Sequence, residues 1–199
     1  MVKQLKHYYE DIFGWFDYDN IYKHVVNTFE EGHFIEVGCF LGKSSAYMLV
    51  EIINSGKNIH FDMIDTFDRW EGVNNSYEQF KENNPIAFIR KYKDRFRVLK
   101  VASIFASKLY EDNSLDFVFI DASHDYENVL ADITAWFPKV KHGGIIGGHD
   151  YADSYIGVKQ AVKEYSSNNN QDFVINKQCW LMKKGCSMFK NNSLMLLNI

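Results

Sequence analysis

The chain has 199 residues, which fits one domain of ordinary size with enough interior for a core. Hydrophobic residues make up 46% and charged residues 24%, a balance that excludes the disordered class. A formal net charge of −4 argues against a chain that lives on nucleic-acid backbone, since phosphate neutralisation needs a basic face. Lys91, Lys93, Arg95 and Arg97 alternate with other residues and read as a solvated helix end. Cys39, Cys179 and Cys186 form an odd count without paired spacing, as in a reducing compartment. With no signal-peptide run near Met1 and no stretch approaching the ~20 apolar residues of a membrane span, a cytoplasmic protein is expected, with neither nucleic acid nor membrane as partner.

Residues 1–32 read as an N-terminal helix pair, a lid or a homodimer contact, with aromatics at Tyr8, Tyr9, Phe13, Trp15 and Phe16 and then Ile21, Val25 and Phe29 at helical spacing. The domain proper is expected over 33–199. HFIEVG at 33–38 is a compact strand that stops at glycine, and 43–55 is helical, with Ser44 or its neighbour placed to cap the start. IHFDMID at 59–65 alternates like a strand and ends in an acid. The stretch 68–84, with Arg69, Trp70, Asn74, Asn75 and Tyr77, reads as a long loop suited to an acceptor lid. A helical pattern over 85–94, a strand at 96–102 and a short helix at 104–111 follow.

LDFVFIDA at 115–122 is the most apolar strand, and 126–140 places Val129, Ile133, Trp136 and Phe137 on one helical face. Asp125, just before it, reads as a capping acid. GGIIGG at 143–148 is a glycine-bounded strand, 156–165 a helix, and SSNNNQD at 166–172 a loop. DFVINK and CWLMKK are joined by so few residues that they can pair only as an antiparallel hairpin. The regular alternation predicts an α/β fold: a doubly wound, Rossmann-like, mostly parallel seven-stranded sheet with that hairpin at its end.

In such sheets ligands bind at the carboxyl ends of the strands, near the switch point. The first strand ends in Glu36, Gly38 and Gly42, whose glycines permit positive φ and a close backbone approach. The spacing departs from G-x-G-x-x-G, and the superficial GKS at 42–44 fails as a P-loop because Val37 stands where a glycine is required. A carboxylate near the end of a buried strand, as at Glu36, is costly unless it is paired or faces a ligand. Asp65 ends the second strand, where an acid can accept both ribose hydroxyls.

Asp121 and His124 follow the fourth strand, and His149 and Asp150 the fifth, so adjacent strands deliver all four to one cleft. Asp121, His124 and His149 are the catalytic candidates. An ordinary imidazole accepts a proton near neutrality, which makes His124 a candidate general base; the alternative is a histidine that caps the next helix or bonds Asp121. Asp121, His149 and Asp150 are the candidate ligands of a divalent cation such as Mg²⁺ or Mn²⁺, and a metal-free site stays open.

E-V-G-x-x-x-G-x-S at 36–44 resembles motif I of class I S-adenosylmethionine-dependent methyltransferases, and the block 119–151 resembles the methyltransferase domain 24 family, related to macrocin-type O-methyltransferases. The resemblance covers roughly 34–165. It implies that Gly38 and Gly42 pass under the methionine part of S-adenosylmethionine, with Glu36 near its amino group and Ser44 beside it. It further implies that Asp65 holds the ribose, with Thr66 and Phe67 by the adenosine, that Ser103 lies near adenine, and that Asp121 borders the cofactor. His149 departs from the second acid that the macrocin-type relatives carry, which counts against magnesium. The expected reaction is O-methylation of a small hydroxylated acceptor, a sugar or natural product. An NAD- or nucleotide-sugar-dependent oxidoreductase and a non-catalytic cofactor-binding module are the alternatives.

Overall fold

The computed structural model describes residues 4–68, 72–84 and 95–185. Strands β1 (Glu31–Val37), β2 (Asn58–Asp65), β3 (Phe96–Lys100), β4 (Leu115–Ile120) and β5 (Val140–Gly148) run parallel. The pair β6 (Val174–Asn176) and β7 (Cys179–Lys183) joins antiparallel through β7, giving the order β3-β2-β1-β4-β5-β7-β6. The expected doubly wound sheet and its terminal hairpin are both present. The order reverses between β1 and β4, so the switch point lies beside Gly38 and Asp121.

Every residue of β4 is buried, as a strand covered on both faces requires. Alternation sends Phe34, Phe117 and Phe119 to one face, under Tyr18 and Tyr22 at α1 (Asp19–Thr28) and Met48 and Leu49 of α2 (Lys43–Ser55). Ile35, Val37, Val118 and Ile120 go to the other, under Ile133 and Trp136 of α5 (Tyr126–Trp136) and Val158 and Val162 of α6 (Ile156–Asn169).

Several expectations are corrected. The N-terminal helix pair is one helix, α1, preceded by a single 3-10 turn at Tyr9–Asp11. Residues before α1 form a strap instead, because their aromatics find partners on α2: His7 stacks on Tyr47 at 4.5 Å, and Leu5 and Asn54 exchange hydrogen bonds. The expected long loop at 68–84 contains α3 (Ser76–Asn83), anchored by Phe80, which is fully buried. The helix α4 (Ser103–Ser107) is shorter than expected. α5 stops at Trp136, where Pro138 tightens the chain into a 3-10 turn and β5 begins at once. α6 runs on through the polar tract to Asn169, and Asn170 ends it at φ 48°.

Arg97 is no solvated helix end. It lies on β3 and donates to the buried Asp62 at 2.8 Å, beside His33 and Tyr110 on the same carboxylate. Cys39 and Cys179 are buried free thiols. The helical pattern 85–94 with Lys91 and Lys93, and also Arg69, Trp70 and Cys186, lie outside the described residues.

Candidate active site

Backbone hydrogen bonds across the strand exits bring the motif residues side by side. Gly38 N donates to Ile64 O, Asp121 N to Val37 O, and His149 N to Ile120 O. A cavity of about 1220 Å³ opens above them. That exceeds the ~300–1,000 Å³ of an ordinary small-molecule pocket and leaves room for two reactants. Gly38, Ser44, Asp65, Thr66, Phe67, Ser103, Asp121, His124, His149 and Asp150 all line it.

The glycine loop is held by its own backbone. Asp65 accepts from the N–H groups of Cys39 at 2.7 Å, Phe40 at 2.8 Å and Phe67 at 2.6 Å, so the acid that ends β2 also shapes the turn after β1. Gly38 has φ 88°, and a Cβ there would lie 1.9 Å from Asp121 O. Gly42 has φ 86°, and a Cβ would lie 1.9 Å from Asn84 Nδ2. The close approaches that require glycine are therefore to the β4 exit and to the end of α3. Gly42 and Glu36 do not line the cavity. Glu36 is fully buried and accepts from Tyr22 Oη at 2.7 Å and from Ser45 Oγ. Burial pushes its carboxyl up, opposed by those hydroxyls and that of Ser44. Ser44 is not the helix cap: α2 starts after the left-handed Gly42, which has no side chain to cap it. Its first-turn N–H groups are thus left for another acceptor.

The charged residues form one network. Asp150, at φ 61°, lies between the imidazoles: His124 Nε2 is 2.8 Å from its Oδ2, and His149 Nδ1 is 3.2 Å from its Oδ1. Burial alone would raise Asp150, but the two histidines hold it well below the usual carboxylate range. The Asp150 hydrogen bond raises His124 against a partial burial that lowers it. For His149 burial also lowers, yet Asp150, Asp121 and Asp17 together carry it up to about 9. Burial raises Asp121, with Asp150 adding and His149 and Tyr18 opposing. Asp125 caps α5 by accepting from Asn128 N at 3.0 Å.

Asp121, His124 and Asp150 can each present one ligand atom with all three within 4.8 Å of one another, a nitrogen-and-two-oxygen set that suits a divalent cation. His124 thus joins this group, whereas His149 from the sequence-based set turns Nε2 to Asp17 Oδ1 at 3.0 Å and keeps Nδ1 4.0 Å from Asp121 Oδ1.

Two residues of this network escape sequence reasoning. Asp17 holds His149, and Tyr18 Oη donates to Asp121 Oδ2 at 2.8 Å across 103 residues of chain. Only the richness of the strap in aromatic residues hints at them. Trp136, read as packing, is fully buried but also donates Nε1–H to Ser103 Oγ at 2.8 Å. Asp132, which no sequence pattern singled out, is buried and lines the cavity.

A family model described as a methyltransferase domain matches residues 35–151, from mid-β1 to just past β5 and more than half of the chain. The chain belongs to this family, a branch of the class I S-adenosylmethionine-dependent methyltransferases. An uncharacterized protein of Acanthamoeba polyphaga mimivirus is 25% identical over 157 residues, covering 76% of this chain and 67% of its own. The fold is shared with the apo structure of CalS11, a TDP-rhamnose 3'-O-methyltransferase in calicheamicin biosynthesis, at TM-score 0.62 and 16% identity over 84% of this chain and 77% of that one. It is also shared with an O-methyltransferase from Bacillus cereus in complex with S-adenosylhomocysteine, at TM-score 0.60 and 15% identity over 84% and 80% of the two chains. For a methyltransferase on this sheet, the matched segment takes in both walls of the cavity, the glycine loop and the histidine–aspartate network. The strap carrying Asp17 and Tyr18 lies outside it.

Proposed function

We propose that the chain methylates a hydroxyl of a small acceptor, such as a sugar or a natural product, with His124 as general base. The observation carrying this reading is the His124–Asp150 pair in the cavity that the glycine loop also lines. S-adenosylmethionine would lie along Gly38, Ser44 and Asp65–Phe67, with Asp65 at the ribose and Asp121 bordering the methionine end. Glu36 and Gly42 act one layer back, as supports of that loop.

His124 Nε2 faces Asp150, which leaves Nδ1 for the acceptor. The hydroxyl proton passes to Nδ1, and Asp150 stabilises the imidazolium. The acceptor oxygen then attacks the sulfonium methyl in line; the C–S bond breaks, and its electron pair goes to sulfur, leaving S-adenosylhomocysteine. The sulfonium is already activated, so positioning and deprotonation are what the protein supplies. If a divalent cation is used, Asp121, His124 and Asp150 would hold it, and the ion would then replace His124 as base by lowering the pKa of a bound acceptor hydroxyl. CalS11, which acts on a TDP-sugar, supports the choice of a hydroxylated acceptor class.

Incubation with methyl-labelled S-adenosylmethionine and panels of sugar, phenol and polyketide hydroxyls checks this directly. Label should enter an oxygen of the acceptor. Transfer to amines alone would overturn the O-methylation reading. Loss of turnover with EDTA and its return with Mg²⁺ or Mn²⁺ would establish the cation, and unchanged turnover would exclude it.

A further inference from the structure

The strap before α1 alternates inward and outward like an extended segment. Ile12, Phe16 and Tyr18 turn inward, and Phe16 meets the rings of Tyr9 and Tyr18 edge to face at 5.4 and 4.7 Å. Phe13, Trp15 and Asp17 turn outward. Outward positions are ordinarily polar, yet two of these three are large aromatics, and Trp15 keeps 68% of its surface exposed. Phe13 and Trp15 also touch each other, edge to face at 5.9 Å. Single exposed apolar side chains need no explanation, but two in contact beside a cavity mark a binding surface. The surface is held in place before any ligand arrives. Lys43 Nζ donates to Ile12 O at 3.0 Å and Lys177 Nζ to Asp17 O at 2.6 Å, so the strap is pinned on both sides of Trp15. A platform fixed in advance lowers the ordering cost of binding.

Position and charge say what lies on it. Trp15 lines the cavity, as does Tyr155, whose ring is 4.5 Å from that of His124. Trp15 stands two residues from the Asp17 that holds His149, and both imidazoles meet Asp150. Trp15 and Tyr155 thus belong to the two arms of the histidine–aspartate network, with Asp150 between the arms. Among the described residues, Lys43 is the only lysine or arginine that lines the cavity, and its ammonium already serves Ile12 O. A phosphorylated acceptor would find few cations here, whereas a flat apolar one would find aromatic faces.

We infer that the acceptor carries its hydroxyl on a flat apolar ring system, phenolic or polyketide-like, whose face lies on Trp15. The inference rests on the O-methylation reading above and narrows it. A bare sugar, whose faces are edged with hydroxyls, gains least from an indole platform. The strap lies outside the matched family segment, so the platform is a feature of this chain rather than of the matched domain.

The probes are phenol, 2-naphthol and methyl glucoside, titrated by calorimetry into the chain saturated with S-adenosylhomocysteine, with methyl transfer from S-adenosylmethionine measured in parallel. The wild type should bind 2-naphthol about tenfold more tightly than phenol, because the second ring adds apolar area on the indole, and methyl glucoside more weakly than either. Trp15→Ala should bring the naphthol-to-phenol ratio to within about threefold, and should raise KM for 2-naphthol while kcat stays within about threefold. Leu109→Ala removes a similarly exposed apolar side chain that does not line the cavity, and should leave the ratio unchanged. A ratio within one preparation is insensitive to the fraction folded. A ratio that survives Trp15→Ala, or tighter binding of the glucoside by the wild type, overturns the platform. Survival of the ratio together with loss of a dimer in sedimentation would assign the strap's aromatics to a second copy instead. Trp15-dependent binding of 2-naphthol without methyl transfer to any hydroxyl would sink the O-methylation reading and leave the platform standing.

Discussion

The two walls of the cavity are built by different means. On the proposed cofactor side, one short segment and one acid do most of the work: Asp65 gathers three backbone N–H groups, and Gly38 admits the β4 exit. On the proposed acceptor side, the geometry comes from side chains of three separate segments, with Asp17, Asp121, His124, His149 and Asp150 holding one another. The first wall is local and backbone-made, so it should break all at once. The second is distributed and charged, so it should lose chemistry while the fold survives.

The largest effect is expected at Gly38. Gly38→Ala sets a Cβ 1.9 Å from a backbone carbonyl at a left-handed φ. Destabilisation above about 3 kcal/mol should appear as a lowered denaturation midpoint, together with lost affinity for S-adenosylhomocysteine. A variant of near wild-type stability would show that the loop tolerates movement and would erase the contrast between the walls. His124→Ala should leave the midpoint and the S-adenosylhomocysteine affinity within about threefold while turnover falls by about 10²-fold or more. If turnover persisted, the general base would have to be sought elsewhere.

This contrast also explains what was legible in the sequence. Parallel strands covered on both faces read as apolar runs, so LDFVFI and FIEV announced the sheet. E-V-G-x-x-x-G-x-S and Asp65 were legible because backbone geometry at a tight turn demands particular residue types at fixed spacing. The histidine–aspartate cluster was visible because it follows two adjacent strands. Its partners were not: the contacts of Asp17 with His149 and of Tyr18 with Asp121 join residues more than a hundred positions apart with no periodicity between them. Asp132 was hidden because a single acid in a helix resembles a solvated one until the fold buries it. The helix pair expected at the start failed because aromatic spacing cannot distinguish packing of a strap onto α2 from packing of a helix.

A smaller effect should come from the strap. Tyr18→Phe removes the hydroxyl that donates to Asp121 Oδ2, leaving a partly buried acceptor short of one partner. A loss of about 1–2 kcal/mol in stability, read by denaturant titration, is expected. No change would mean that the strap covers the network without supporting it.

The smallest effect concerns pH. In EDTA-treated protein, His149 is raised to about 9 in the folded chain. A raised group contributes fully below its unfolded value of about 6.5, and the contribution is lost as pH climbs through the folded value. The melting temperature should therefore decline by a few degrees between pH ~7 and ~9.5, and His149→Gln should flatten that decline. An equally steep decline in the variant would place the titrating group outside the network.

The most direct measurement is calorimetric titration of the purified chain with S-adenosylhomocysteine and, in parallel, with NAD. Saturable one-site binding of S-adenosylhomocysteine with no heat from NAD is predicted. Binding of NAD without any response to S-adenosylhomocysteine would contradict the assignment of this cavity to S-adenosylmethionine chemistry.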